Sequence, residues 1–317
     1  MHLSGYFDLH CDTLTAIPEG MSPCRCNSLD RSGNALRLSA PPDALPWAQL
    51  FAVFLPDSLC GAAAIEYFQA HCANFHRQME CFSDRVRFCR SYADMERAWQ
   101  EGRCAALLTV ENGSALAGDA GRIAVLHECG VRVLTLVWNG KNELGSGNDS
   151  PCGLTDFGRQ VLPLLEQSGI LLDVSHLNDQ GLAEVLELAQ KPFLATHSNA
   201  RSVTPHPRNL SDFAIRELVQ RDCLIGLNFH APFLGISPEQ CAYPALYRQI
   251  QHFCALGASA HLALGSDFDG ATLPLGLRSP RQALRCADWL VAQGLSPALV
   301  DAIFFGNARR FFQRNLP

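Results

Sequence analysis

The sequence predicts a parallel (β/α)8 barrel, and three observations carry that expectation. Short apolar runs alternate with amphipathic segments along most of the chain, the pattern of a parallel sheet covered by helices. About eight such strand–helix units fit within 317 residues, which suits a closed barrel better than an open sheet. No Gly-x-Gly-x-x-Gly follows the first run and no Walker motif occurs, so the marks of a doubly wound nucleotide-binding fold are missing. No repeat period, low-complexity segment or linker interrupts the pattern, and residues 1–317 read as one domain.

In chain order, residues 5–10 form the first expected strand, followed by a long loop over 13–48 rich in Pro, Ser, Asn and Cys. Long loops in compact domains are usually functional. Gln49–Leu55 is the second apolar run. Ala62–Phe82 has helical spacing of Ile65, Phe68, Cys72, Phe75 and Met79. Val86–Cys89 reads as a strand and Tyr92–Gln100 as a helix capped by Ser91. Further strands are expected at Ala105–Val110, Val131–Val137, Ile170–Val174, Phe193–Thr196, Cys223–Asn228 and His261–Gly265. Helices are expected at Gly118–Cys129, Thr155–Ser168, Asn178–Ala189, Ser211–Arg221 and Tyr243–Leu256, with Phe157, Val161, Leu164 and Leu165 as the apolar positions of the second. Two helices, near Pro280–Ala292 and Pro297–Phe304, close the chain.

Composition narrows the function. Hydrophobic residues are 48%, enough for a large core, and charged residues are 18% with a net charge of −6. A mildly acidic chain without a basic block argues against nucleic acid or an anionic membrane as partner. No apolar stretch reaches the ~18–20 residues that span a bilayer. No charged n-region or apolar h-region precedes the first strand, so no signal peptide is expected. The 14 cysteines are scattered, many of them inside apolar runs (Cys89, Cys104, Cys223, Cys254). They read as reduced thiols of a cytoplasmic protein. Cys24 and Cys26 form one close pair, with no second pair at zinc-finger spacing.

A barrel does its chemistry at the C-terminal ends of its strands. The first run ends in His10 and Asp12, residues i and i+2, which share a face when extended. Imidazole nitrogen with carboxylate oxygen suits a divalent metal such as zinc. The later runs end in Glu111 with Asn112 and Gly113, Trp138 with Asn139, Ser175 with His176, His197 with Ser198, then His230, and Asp267. A strand-end histidine or aspartate alone is commonly structural or a turn cap. Together they fit a binuclear centre in which one carboxylate bridges cations ~3.5–4 Å apart.

At these residues the sequence resembles the membrane (renal) dipeptidases, peptidase family M19 of the amidohydrolase superfamily. The motifs are Phe7-Asp8-Leu9-His10-Cys11-Asp12-Thr13, Val110-Glu111-Asn112-Gly113, Leu172-Asp173-Val174-Ser175-His176, Ala195-Thr196-His197-Ser198-Asn199, Pro207-Arg208-Asn209-Leu210 and Gly265-Ser266-Asp267-Phe268-Asp269-Gly270. They run in order from residue 7 to about residue 310, nearly the whole chain. The resemblance implies two Zn²⁺ per chain, one held by His10, Asp12 and Glu111 and the other by Glu111, His176 and His197. It implies Asp267 as the proton-transfer residue and Arg208 as the ligand of the substrate's carboxylate. It also implies a departure: where many relatives carry a histidine that touches the substrate carbonyl, this chain has Trp138, followed by Asn139, and both are expected to face the substrate. Indole N–H donates one hydrogen bond and takes no proton.

The implied reaction is hydrolysis of a small dipeptide by a metal-bridging hydroxide, with D-residues tolerated at the C-terminal position. Partners would be the dipeptide alone, without nucleic acid or membrane, and a homodimer is left open. The alternatives are another metal-dependent amidohydrolase activity, on lactams, acylamino acids or esters, and a non-catalytic barrel serving as a binding module.

Overall fold

The computed structural model describes residues 2–18, 20–42 and 45–317, so residues 19, 43 and 44 of the long first loop lie outside the described residues. Among the described residues the alternation becomes nine parallel strands: β1 (Tyr6–Asp8), β2 (Trp47–Phe54), β3 (Val86–Phe88), β4 (Cys104–Glu111), β5 (Val131–Thr135), β6 (Leu171–Asp173), β7 (Leu194–Ala195), β8 (Leu224–Asn228) and β9 (Leu262–Gly265). Eight of them close into a barrel, in the order β1-β2-β4-β5-β6-β7-β8-β9, with β9 pairing back to β1. The ninth, β3, stands outside the ring. It pairs with Cys104–Ala106 on β4, below the point where β5 takes over at Leu108. The register of β4 against β5 shifts between Leu108 and Thr109, which lets one edge serve both neighbours.

Every barrel strand sends a side chain into the lumen. Phe7, Leu50, Leu107, Val133, Leu171, Leu194, Leu224 and Ala263 share one buried cluster. The cluster continues to Phe305 and Phe312, and Phe312 stacks on Phe7 with ring centroids 5.0 Å apart. The C-terminal helix Asn307–Asn315 thus closes the barrel floor. The larger cluster lies between strands and outer helices. Among the described residues no helix is long and apolar enough to cross a membrane.

Ser91 caps its helix as expected, and Thr155, Asn178 and Ser211 likewise each accept a backbone N–H from the first turn of their helices. Leu164 departs from expectation: it is exposed, and Leu162 takes the buried place beside Val161 and Leu165. The last expected helix also differs. Pro297–Asp301 passes into a wider π turn, Ala302–Gly306, and then into Asn307–Asn315. The long first loop folds as a strap. Gln78 accepts from Leu29 N at 2.7 Å, Arg77 donates to Cys26 O at 2.6 Å, and Asp269 accepts from Ala35 N at 2.7 Å. All 14 cysteines are unpaired.

Candidate metal centre

The expected ligands converge at the C-terminal mouth. Side chains alternate along a strand, so Ala105, Leu107, Thr109 and Glu111 face the lumen in one file, and Glu111 is its topmost member. Glu111 Oε2 lies 3.3 Å from His10 Nε2. Glu111 Oε1 lies 2.8 Å from His176 Nε2 and 3.7 Å from His197 Nε2. His10 Nε2 is 3.5 Å from Asp12 Oδ2 and 4.0 Å from Asp267 Oδ1. The two nitrogens His176 Nε2 and His197 Nε2 are 2.9 Å apart. All five expected ligands and Asp267 therefore share one cluster.

These atoms fit a metal better than they fit each other. His10 Nε2 and Asp12 Oδ1 are buried with no hydrogen-bond partner among the described residues, an arrangement that costs stability unless something pairs them. Ligand atoms of His10, Glu111 and His197, and of His10, Asp12 and Asp267, each lie within 4.8 Å of one another. Burial and the neighbouring Asp12 push the Glu111 carboxyl up to about 8 without a cation. Burial alone would favour neutral His10, but Glu111 and Asp12 outweigh it and hold its pKa well above the ordinary range. His176 and His197 go the other way: burial, with the positive charges of Arg208 and His10 nearby, keeps both well below it. Gly270 closes the cradle, because a Cβ there would collide with Asp12 Oδ2.

A second layer of residues, which the strand-end reading missed, orients the first. Asp173 is fully buried at the end of β6 and accepts from Thr135 Oγ1 at 2.6 Å, Ser175 Oγ at 2.7 Å, Thr196 N at 2.8 Å and Thr196 Oγ1 at 2.7 Å. The carboxylate is the strongest acceptor in reach, so it takes the single proton of Thr196 Oγ1. That leaves Thr196 Oγ1 as an acceptor for His197 Nδ1–H at 2.8 Å, with His197 Nε2 bare toward Glu111. Asp8, fully buried at the end of β1, accepts from Ser266 N at 2.8 Å and Gln49 Nε2 at 3.0 Å. Both are carboxylates inside otherwise apolar runs two or three residues before a histidine, and that placement was the available signal.

The remaining expected residues line the same cavity, about 390 Å³, together with Thr15, Phe54, His230, Phe233 and Asp269. Asp267 is largely buried, its Oδ2 takes Asn228 Nδ2 at 3.1 Å, and burial pushes its carboxyl up to about 6. Arg208 is buried; its Nη1 donates to Ser175 O, its guanidinium lies 5.5 Å over the Phe233 ring, and its Nη2 has no partner among the described residues. It does not pair with the nearby acid Asp212, which instead meets His252 at 2.8 Å. Asn139 lines the cavity while its Oδ1 accepts from His176 Nδ1 at 3.2 Å, so it orients a ligand candidate. Trp138 meets Phe54 edge-on, with centroids 4.9 Å apart. A larger cavity, about 450 Å³, opens at the strand starts beside Trp47, Trp99 and Cys104 and contains none of these residues.

A parallel barrel with imidazoles and carboxylates gathered at its C-terminal mouth defines the class of metal-dependent hydrolase barrels. The sequence model of the membrane dipeptidase family, peptidase family M19, matches residues 3–315, and the chain belongs to that family. It is a metallo-dipeptidase, a hydrolase acting on peptide bonds. An uncharacterized protein in the pqqA 5′ region of Klebsiella pneumoniae is 31% identical over 234 residues, covering 70% of this chain and 86% of that protein. The solved structure of the dipeptidase AC, a family M19 metallopeptidase, is 26% identical with a TM-score of 0.92 over 99% of both chains. A Rhodobacter sphaeroides metallopeptidase, liganded with a phosphinate mimic of the dipeptide L-Ala-D-Ala, has the same fold, with a TM-score of 0.92, 24% identity and coverage of 99% of this chain and 100% of its own.

Proposed function

We propose that the chain hydrolyses dipeptides with two zinc ions, one held by His10, Asp12 and Glu111 and the other by Glu111, His176 and His197. Glu111 carries this reading, because Oε2 faces His10 at 3.3 Å while Oε1 faces His176 at 2.8 Å and His197 at 3.7 Å. Mixed imidazole and carboxylate donors suit zinc. Divalent cations bound there supply Lewis-acid polarisation of the scissile carbonyl and acidify the attacking water.

The chain's own residues do the rest. Asp267 takes the proton of the attacking water and returns it to the leaving amine. Its pKa, raised by burial to about 6, brings it nearer to working pH than an ordinary aspartate. Asn228 holds its Oδ2 and leaves Oδ1 on the His10 side. Arg208, anchored through Nη1 on Ser175 O, presents Nη2 to the substrate's C-terminal carboxylate. With the carboxylate gripped, the scissile carbonyl reaches the cluster only when one residue separates them, which selects dipeptides. The anchor reads a carboxylate and not a side chain, so a D-residue is accepted at the C-terminal position. The scattered unpaired thiols support a cytoplasmic location.

The test compares dipeptides with their C-terminal amides. The free acid should be cleaved well and the amide poorly, and Arg208→Ala should lower kcat/KM for the acid by roughly 10–100-fold with far less effect on the amide. Equal cleavage of acid and amide would remove Arg208 from this role. An active preparation holding fewer than two metal ions, unchanged by added zinc, would remove the paired centre.

A further inference from the structure

We infer that the enzyme selects dipeptides whose N-terminal residue carries a large uncharged apolar side chain, seated against Phe54 and Trp138. The inference rests on the reading of Arg208 as the carboxylate anchor and extends it to the other end of the substrate.

The direction of the bound dipeptide follows from the barrel order. Around the ring the strands run β1-β2-β4-β5-β6-β7-β8-β9, so β2 stands diametrically opposite β7, four strands away in either direction. Arg208 lies in the loop after β7, and Phe233, whose ring it covers, follows β8. A carboxylate held there, with the scissile carbonyl over Glu111, sends the N-terminal residue toward the end of β2.

Phe54 is the last residue of β2, and Glu111 is its register partner on β4, so both face the lumen. Seven residues of β2 are buried, and Phe54 alone is half-exposed, opening onto the cavity. Trp138, at the end of the β5 run and also half-exposed, meets it at 4.9 Å and 68°. Together they make an apolar wall beside the cluster. Trp138 is also the residue that departs from the histidine implied by the family resemblance, so the wall is a property of this chain.

The remaining groups on this side are the carboxylates Asp12, Asp267 and Asp269, from the ends of β1 and β9. They suit the substrate's ammonium and repel an acidic side chain. Among the described lining residues Arg208 is the only arginine or lysine, and it is engaged at the other end. An acidic N-terminal side chain therefore meets no cationic side chain at this wall.

The test is a series of dipeptides with alanine at the C-terminal position, assayed with zinc-loaded enzyme. Leu-Ala and Phe-Ala should exceed Gly-Ala in kcat/KM by roughly tenfold or more, the scale expected for burying such side chains. Asp-Ala should fall below Gly-Ala. Phe54→Ala and Trp138→Leu should each shrink the Phe-Ala to Gly-Ala ratio several-fold, with zinc content measured on each variant. A flat series, or a ratio unmoved in both variants, overturns the wall. Cleavage of no member of the series by the zinc-loaded chain overturns the dipeptidase reading and the wall together.

Discussion

The two sides of Glu111 are built on different principles. On the Oε2 side, His10, Asp12 and Asp267 crowd together with buried atoms that lack partners. That side is short of positive charge. On the Oε1 side, His176 and His197 each have Nδ1 engaged, by Asn139 and by Thr196 with Asp173 behind it, and both rings are held neutral. That side is oriented by hydrogen bonds. In the proposed pair, one ion would be held chiefly by charge and the other by positioning, and changes of different kinds should separate them.

The largest effect belongs to the group the sides share. Glu111→Gln should weaken both positions by more than the ~10–100-fold typical of losing an outer partner. Metal content after chelator competition checks this, and one ion kept at unaltered affinity would assign Glu111 to a single side. Next is Asp173→Asn, which puts an amide where the hydroxyl of Thr196 now donates. It should lower affinity on the His197 side by ~10–100-fold and spare the His10 side. Stepwise competition with a chromophoric chelator resolves the two, and equal losses at both would break the distinction.

The smallest effect is on pH dependence. Without metal, Glu111 keeps a proton up to about pH 8, chiefly through burial and then through Asp12, whereas the unfolded chain releases it near its ordinary value of 4.5. A raised carboxyl pKa means stability is lost as pH rises, and the raised pKa of His10 acts in the same direction. The depressed pKa values of His176 and His197 matter only below their ordinary value of 6.5, where they cost stability as pH falls. The metal-free chain should therefore lose roughly 2–4 °C of Tm for each kcal/mol as pH rises from about 6.5 past 8, and zinc should abolish the slope. A flat melting profile without metal would deny the charge imbalance on the His10 side.

Much of this site could be read in the sequence because the ligands announce themselves locally. His10, Glu111, His176, His197 and Asp267 each follow an apolar run, and a barrel brings such ends to one face. The supporting layer was not legible in that way. Asp8 and Asp173 acquire their roles from Ser266, Thr135 and Thr196 on other strands, partners far away in sequence. Asn139 was read as facing substrate, but its orientation toward His176 depends on how the loop after β5 turns. The fold shows the same division. Caps such as Ser91 are local and were found. The place of β3 outside the ring depends on how the edge of β4 is shared, which periodicity does not encode.

That sharing has a consequence for the timescale on which the enzyme opens. β4 is flanked by β2 along its length on one edge and by β3 then β5 on the other, so its amides are covered from Cys104 to Glu111. Such amides exchange with solvent only through global unfolding. The element that carries the shared carboxylate is thus among the slowest parts of the molecule to breathe. The strap over residues 20–42 is tied down through Arg77, Gln78 and Asp269 and by Leu29, Leu36 and Leu38 buried in the core. Glu111 therefore keeps its position through many cycles of substrate entry and product release, on the slow clock of global unfolding.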